Sequence, residues 1–118
     1  MDTLIGSIML WPLAWAPKDW LFCNGQELPI MQNQVLFALL GTTYGGDGNT
    51  TFALPNLNGR APVGAQMGGV MPSGLASYEL GAVGGESSPV SIDPADAGNP
   101  FLALNFIICT FGQFPSRP

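Results

Sequence analysis

The stretch Phe101-Leu102-Ala103-Leu104-Asn105-Phe106-Ile107-Ile108-Cys109-Thr110-Phe111 decides the fold. Apolar residues fill it almost without a break. A strand with one wet face alternates apolar and polar side chains, whereas an unbroken run means that both faces are covered. Phe106 to Phe111 is rich in aromatic and β-branched residues, which predicts a central strand or one buried between subunits. Leu4–Trp11 and Trp20–Cys23 also read as strands. Asn24-Gly25 suits a tight turn, after which Glu27-Leu28 is expected to pair back as a hairpin. Shorter strands are expected at Thr51–Leu54 and Val90–Ile92.

One helix is predicted, between Pro29 and Gly41. Proline is tolerated near a helix start, where the missing N–H costs little, and glycine accepts the left-handed geometry that ends a helix. Met31, Val35, Ala38 and Leu39 recur at helical spacing, with Leu36, Phe37 and Leu40 widening the apolar face. A helix this short and this apolar should be held by deep burial. Sixteen glycines and eleven prolines among 118 residues keep every other element short. The fold class is therefore mostly β (α+β): short strands, one short helix near 30–40 and long ordered loops.

Composition narrows the function. Charged residues make up 9% of the chain and apolar residues 47%, against about 25% charged in an ordinary soluble domain. So little charge leaves apolar surface facing another copy or a partner. The net charge of −5 is opposed only by Lys18, Arg60 and Arg117, too few and too scattered to neutralise phosphates, so nucleic acid is not an expected partner. The N-terminus lacks a recognisable signal peptide, and no run is long enough for a transmembrane segment.

Several segments, in order and at matching spacing, resemble the phage tail-collar domain. They are Ile5-Gly6-Ser7-Ile8, Ala16-Pro17-Lys18-Asp19-Trp20, Cys23-Asn24-Gly25-Gln26, Leu36-Phe37-Ala38-Leu39-Leu40-Gly41, Thr43-Tyr44-Gly45-Gly46-Asp47-Gly48, Thr51-Phe52 and Leu54-Pro55-Asn56-Leu57-Asn58-Gly59-Arg60. The ending, from Asn99-Pro100-Phe101 through Phe114-Pro115-Ser116-Arg117, is similar to that of the bacterial microcystin-dependent proteins, which carry the same domain. The resemblance implies one tail-collar-like domain over 1–118, with a collar motif at 4–64, a loop region at 65–99 and a C-terminal strand segment at 100–118. The middle departs from the family. Gly84-Gly85 and Val90-Ser91-Ile92 are followed at once by Asp93–Asn99 and the last strand. The histidine-bearing and variable region usual there is shortened away, and with it the histidines that hold an axial metal in related short tail fibres.

No enzyme site can be read in the chain. It has no histidine, which excludes Ser-His-Asp and Cys-His arrangements. Two distant cysteines form no recognisable zinc ligand set. Asp47-Gly48-Asn49 suggests calcium, but the terminal acid of an EF-hand loop is missing, and a turn braced by its own side chains is the better reading. No cofactor is expected. Arg60 is expected to brace loop carbonyls or an acid such as Asp47. Cys23 and Cys109 could pair within a chain, pair between chains or stay buried as thiols. Trp11, Trp15 and Trp20 could stack on sugars, although filling a core or interface is the preferred reading.

The expected function is a non-catalytic, self-assembling structural protein forming a homo-oligomeric fibre, collar or extracellular filament involved in attachment. Its partners would be copies of itself, as a trimer or filament, with a cell-surface receptor or glycan as a further class. Its place would be extracellular or on a virion or phage-tail-like particle. The expected assembly residues are Leu4, Ile5, Ile8, Leu10, Trp11, Phe101, Leu104, Phe106, Ile108, Phe111 and Phe114. The alternative is a carbohydrate- or receptor-binding adhesin tip that uses exposed tryptophans.

Overall fold

The computed structural model describes residues 3–65, 78–84 and 100–118, so the strand expected at Val90–Ile92 lies outside the described residues. The chain divides into two compact units, Met1–Pro62 with Leu104–Pro118, and Val63–Ala103. Among the described residues the regular elements all lie in the first: β1 (Ile8–Trp11), β2 (Trp20–Phe22), β3 (Glu27–Pro29), α1 (Gln34–Leu40), β4 (Thr51–Ala53) and β5 (Asn105–Cys109). This is the mostly-β architecture with one short helix that the sequence predicts. In the second unit the described residues include a turn in which the Ala82 N–H bonds to the Glu79 carbonyl at 3.0 Å.

The C-terminal strand is central. β5 lies between β1 and β2 and runs antiparallel to both. Ile107, Ile108 and Cys109 are buried on both faces, as an unbroken apolar run requires. β1 is shorter than the expected Leu4–Trp11 because Gly6 bends its start. Gly6 has φ +91°, and the Ser7 N–H closes a turn onto the Leu4 carbonyl at 3.2 Å. The Gly6 N–H bonds to the Cys109 carbonyl while the Cys109 N–H bonds to the Ser7 carbonyl, both at 2.9 Å. Two residues thus oppose one, a bulge whose first position needs the positive φ that glycine supplies.

The hairpin expected at Asn24-Gly25 does not form. The Asn24 side chain accepts a bond from the Gln26 N–H at 3.1 Å, and the turned chain leaves the first sheet. β3 then pairs with β4, with Leu28 opposite Phe52. Leu28 and Phe52 are both buried, and this register places both in the core.

The helix also departs from expectation. Pro29 belongs to β3, and its carbonyl accepts a bond from the Asn33 side chain at 3.0 Å. α1 therefore starts at Gln34, after a turn in which the Asn33 N–H bonds to the Ile30 carbonyl at 3.0 Å. Its end at Gly41 agrees with the sequence reading, with the Gly41 N–H bonding back to Phe37. Deep burial is not found: Leu36 alone is fully buried, while Val35 and Ala38 are exposed. The core takes Leu36 with part of Phe37, Leu39 and Leu40, and joins them to Ile5, Cys23, Leu28, Phe52, Leu54 and Ile108. Phe37 and Phe52 meet at 5.4 Å between ring centroids with a 54° tilt, a favourable aromatic geometry.

Candidate assembly surface

Of the expected assembly residues, two belong to the chain's own core. Ile5 is 6% exposed and Ile108 0%, so neither side chain has surface left for another subunit. The correction follows from register: Ile108 sits on the middle strand, opposite Ile8 on one side and Leu21 on the other. Phe106 is half-buried against the same core, and Trp11 is half-buried as well. Leu4, Ile8, Leu10, Phe101, Leu104, Phe111 and Phe114 are exposed.

Two apolar surfaces stand out in the first unit. One is β1, in which Ile8, Met9 and Leu10 are all exposed. Among the described strands β1 pairs with β5 alone, along one edge. The other is a groove of about 540 Å³ between α1 and the chain's end, lined by Met31, Val35, Phe111 and Phe114 among others. Met31, at 85%, and Phe111, at 73%, are among the most exposed apolar side chains. Sequence reasoning missed Met9, Met31 and Val35. The four-residue spacing of Met31 and Val35 was legible, but a helix apolar on most sides does not reveal which face the core will take.

The tryptophans do not fill the core. Trp15 is 60% exposed, and Trp11 and Trp20 are half-buried. The Trp11 Nε1–H donates to the Trp15 carbonyl at 2.7 Å, and the two rings meet edge to face at 5.8 Å and 79°. This contact closes the Pro12–Ala16 loop, which the Asn105 Nδ2 also ties by donating to the Leu13 carbonyl at 2.9 Å.

The polar features serve loops. Asp47 Oδ1 accepts from the N–H groups of Asn49, Thr50 and Thr51 at 2.8, 2.7 and 2.9 Å, while the Thr50 hydroxyl donates to Oδ2 at 2.7 Å. These bonds, the Thr51 N–H foremost and the Thr50 hydroxyl next, hold the carboxyl well below the usual carboxylate range. Each favours the charged form, so the self-braced turn is the finding. Arg60 Nη1 donates to the Asn56 carbonyl at 3.0 Å. Cys23 and Cys109 are buried free thiols, not a disulfide. Burial pushes the Cys23 thiol up to about 11, because a thiolate would lose its hydration there. Among the described residues no group of three or more Cys, Asp or Glu is arranged to hold a metal, and no helix is long and apolar enough to cross a membrane.

The surfaces that stand out among the described residues are uncharged and apolar. Residues 6–62, somewhat less than half of the chain, match the family model of the phage tail collar domain, a structural family. No curated protein matches the chain. The matched stretch runs from the β1 bulge through β4 to just past the Leu57–Arg60 turn, and it excludes β5.

Proposed function

We propose that the chain is a non-catalytic structural subunit that assembles with copies of itself into a fibre, collar or extracellular filament used for attachment. The observation that carries this reading is the exposure of three consecutive apolar residues, Ile8, Met9 and Leu10, on an edge strand. The groove beside α1 gives each copy a second apolar surface, and two different contacts per copy are enough to extend an assembly. The match of residues 6–62 to the phage tail collar domain supports a tail-associated place for it.

Particle mass by size-exclusion chromatography with light scattering, with negative-stain images of the same fractions, tests the proposal. Particles of several copies are expected, as long filaments or closed oligomers. A monomer at micromolar concentration would overturn it.

The exposure of Trp15 beside Trp11 favours a second reading, an adhesin tip that stacks these rings on a glycan. In a glycan screen, quenching or a shift of tryptophan emission that is lost in Trp15→Ala would support it. A blank screen would remove it.

A further inference from the structure

We propose that the open edge of β1 docks β1 of a second copy, antiparallel, with Met9 facing its counterpart across a two-fold axis. This rests on the assembly reading and adds to it the strand, the partner and the register.

The three-stranded sheet has two edges, and the chain treats them differently. In an antiparallel ladder the backbone groups of successive residues point alternately toward and away from the partner strand. The Cys109 N–H bonds to the Ser7 carbonyl, and the register continues through Met9 opposite Ile107 and Trp11 opposite Asn105. Ser7, Met9 and Trp11 therefore bond toward β5, and the N–H and C=O groups of Ile8 and Leu10 point outward. By the same alternation Trp20 and Phe22 point outward from β2, since the Cys23 N–H bonds to the Phe106 carbonyl. There the chain covers its own edge. The Trp20 N–H bonds to the Pro17 carbonyl at 3.1 Å, and Gln26 Nε2 donates to the Phe22 carbonyl at 3.4 Å. No such partner meets Ile8 or Leu10 among the described residues.

The β1 edge also lacks the usual protections against strand addition. Ile8–Trp11 contains no lysine, no proline and no other charged residue. Its side chains are exposed on both faces of the sheet. The bulge at Gly6-Ser7 and Pro12 bound the strand without interrupting it.

Charge favours a second copy as the occupant. Each copy carries −5, yet Leu4 through Pro17 contains no charged residue, so two copies meet here without juxtaposing like charges. Symmetry supplies the register. Ile8 of one copy and Leu10 of the other form a pair exchanging N–H···O=C bonds, the two-fold axis repeats that pair, and the two Met9 residues fall between as a non-bonded pair. The result is one continuous sheet running β2-β5-β1 and then β1-β5-β2 of the second copy.

The test is disulfide trapping in the full chain. A non-bonded antiparallel pair has Cα atoms about 4.5 Å apart, within disulfide reach. Met9→Cys should give a reducible dimer as the main band under mild oxidation. Ala38→Cys, exposed on α1 and not among the groove-lining residues, and the unaltered chain should stay at background. Leu10→Lys should lower the particle mass by half or more while leaving the circular dichroism spectrum unchanged. An unaltered chain that is monomeric overturns the assembly reading and this inference together. Assembled particles in which Met9→Cys does not cross-link, or which are closed trimers, overturn this inference alone.

Discussion

Ile8 and Ile108 stand directly opposite each other across the β1–β5 ladder, yet Ile108 is 0% exposed and Ile8 43%. They are the same residue type on paired strands. Strand position separates them: β5 has a neighbour on each side and β1 on one. Substitutions at the two strands should therefore behave oppositely. Ile108→Asp places an unpaired carboxylate in the core and should cost upwards of about 4 kcal/mol, enough to unfold the chain. Leu10→Lys, at an exposed site, should change stability by no more than about 0.5 kcal/mol. Urea denaturation of the two variants checks the contrast, and a folded Ile108→Asp chain would contradict the placement of β5.

Phe52 joins β4 to the helix through its contact with Phe37 and is fully buried. Phe52→Ala should cost about 3–5 kcal/mol, the range for removing a buried aromatic ring. A loss below about 1 kcal/mol in chemical denaturation would show that the core closes elsewhere.

Gly46 has φ +93°, and a Cβ built there would overlap the Cα of Phe52 and lie 2.7 Å from the Thr51 carbonyl oxygen. Both the conformation and the space exclude a side chain. Gly46→Ala should destabilise by more than about 1 kcal/mol, whereas Gly59→Ala has open space and only the strain of φ +68° to bear. The order of the two thermal midpoints is the measurement.

Asp47 gives the acid response a definite sign. Its folded pKa is depressed by the bonds from Thr51, Thr50 and Asn49, so the unfolded chain binds the proton more readily. Its contribution is fully present above the unfolded value, near 4, and is lost progressively as pH falls from there toward the depressed folded value. Asp47→Asn should flatten the dependence of the melting temperature on pH below about 4, and an unchanged acid limb would mean that the turn forms without the carboxylate.

The cysteines should be slow. Cys23 is buried with its thiol raised to about 11, so little thiolate forms at neutral pH. A thiol reagent should titrate both cysteines only after denaturant is added, and a non-reducing gel should show no disulfide. Rapid labelling of the native protein would contradict the burial.

Much of the fold was legible locally. The apolar run marked a strand covered on both faces, but the structure confines it to Asn105–Cys109 and leaves Phe101–Leu104 and Phe111 exposed outside it; Gly41 marked the helix end, and the segments from Ile5 to Arg60 carried the family resemblance. The candidate surface was legible only in part. Leu10 and Phe111 read as assembly residues and are exposed. Ile5 and Ile108 read the same way and are core, because composition marks a residue as apolar without saying which partner covers it.

By itself the sequence determined the element types, a chain too poor in charge to present an ordinary soluble surface, and a matched collar stretch. The tertiary structure decided which ends meet. The collar match stops before β5, yet β5 is the strand that holds β1 and β2 together. It also turned Glu27–Pro29 toward β4 instead of back on β2, and gave the core Leu36 while leaving Val35 outside. The physical reason is common to all three. Local patterns fix periodicity and turns, but which apolar face is buried depends on contacts between residues far apart in the chain, and those exist only once the sheet has closed around its last strand.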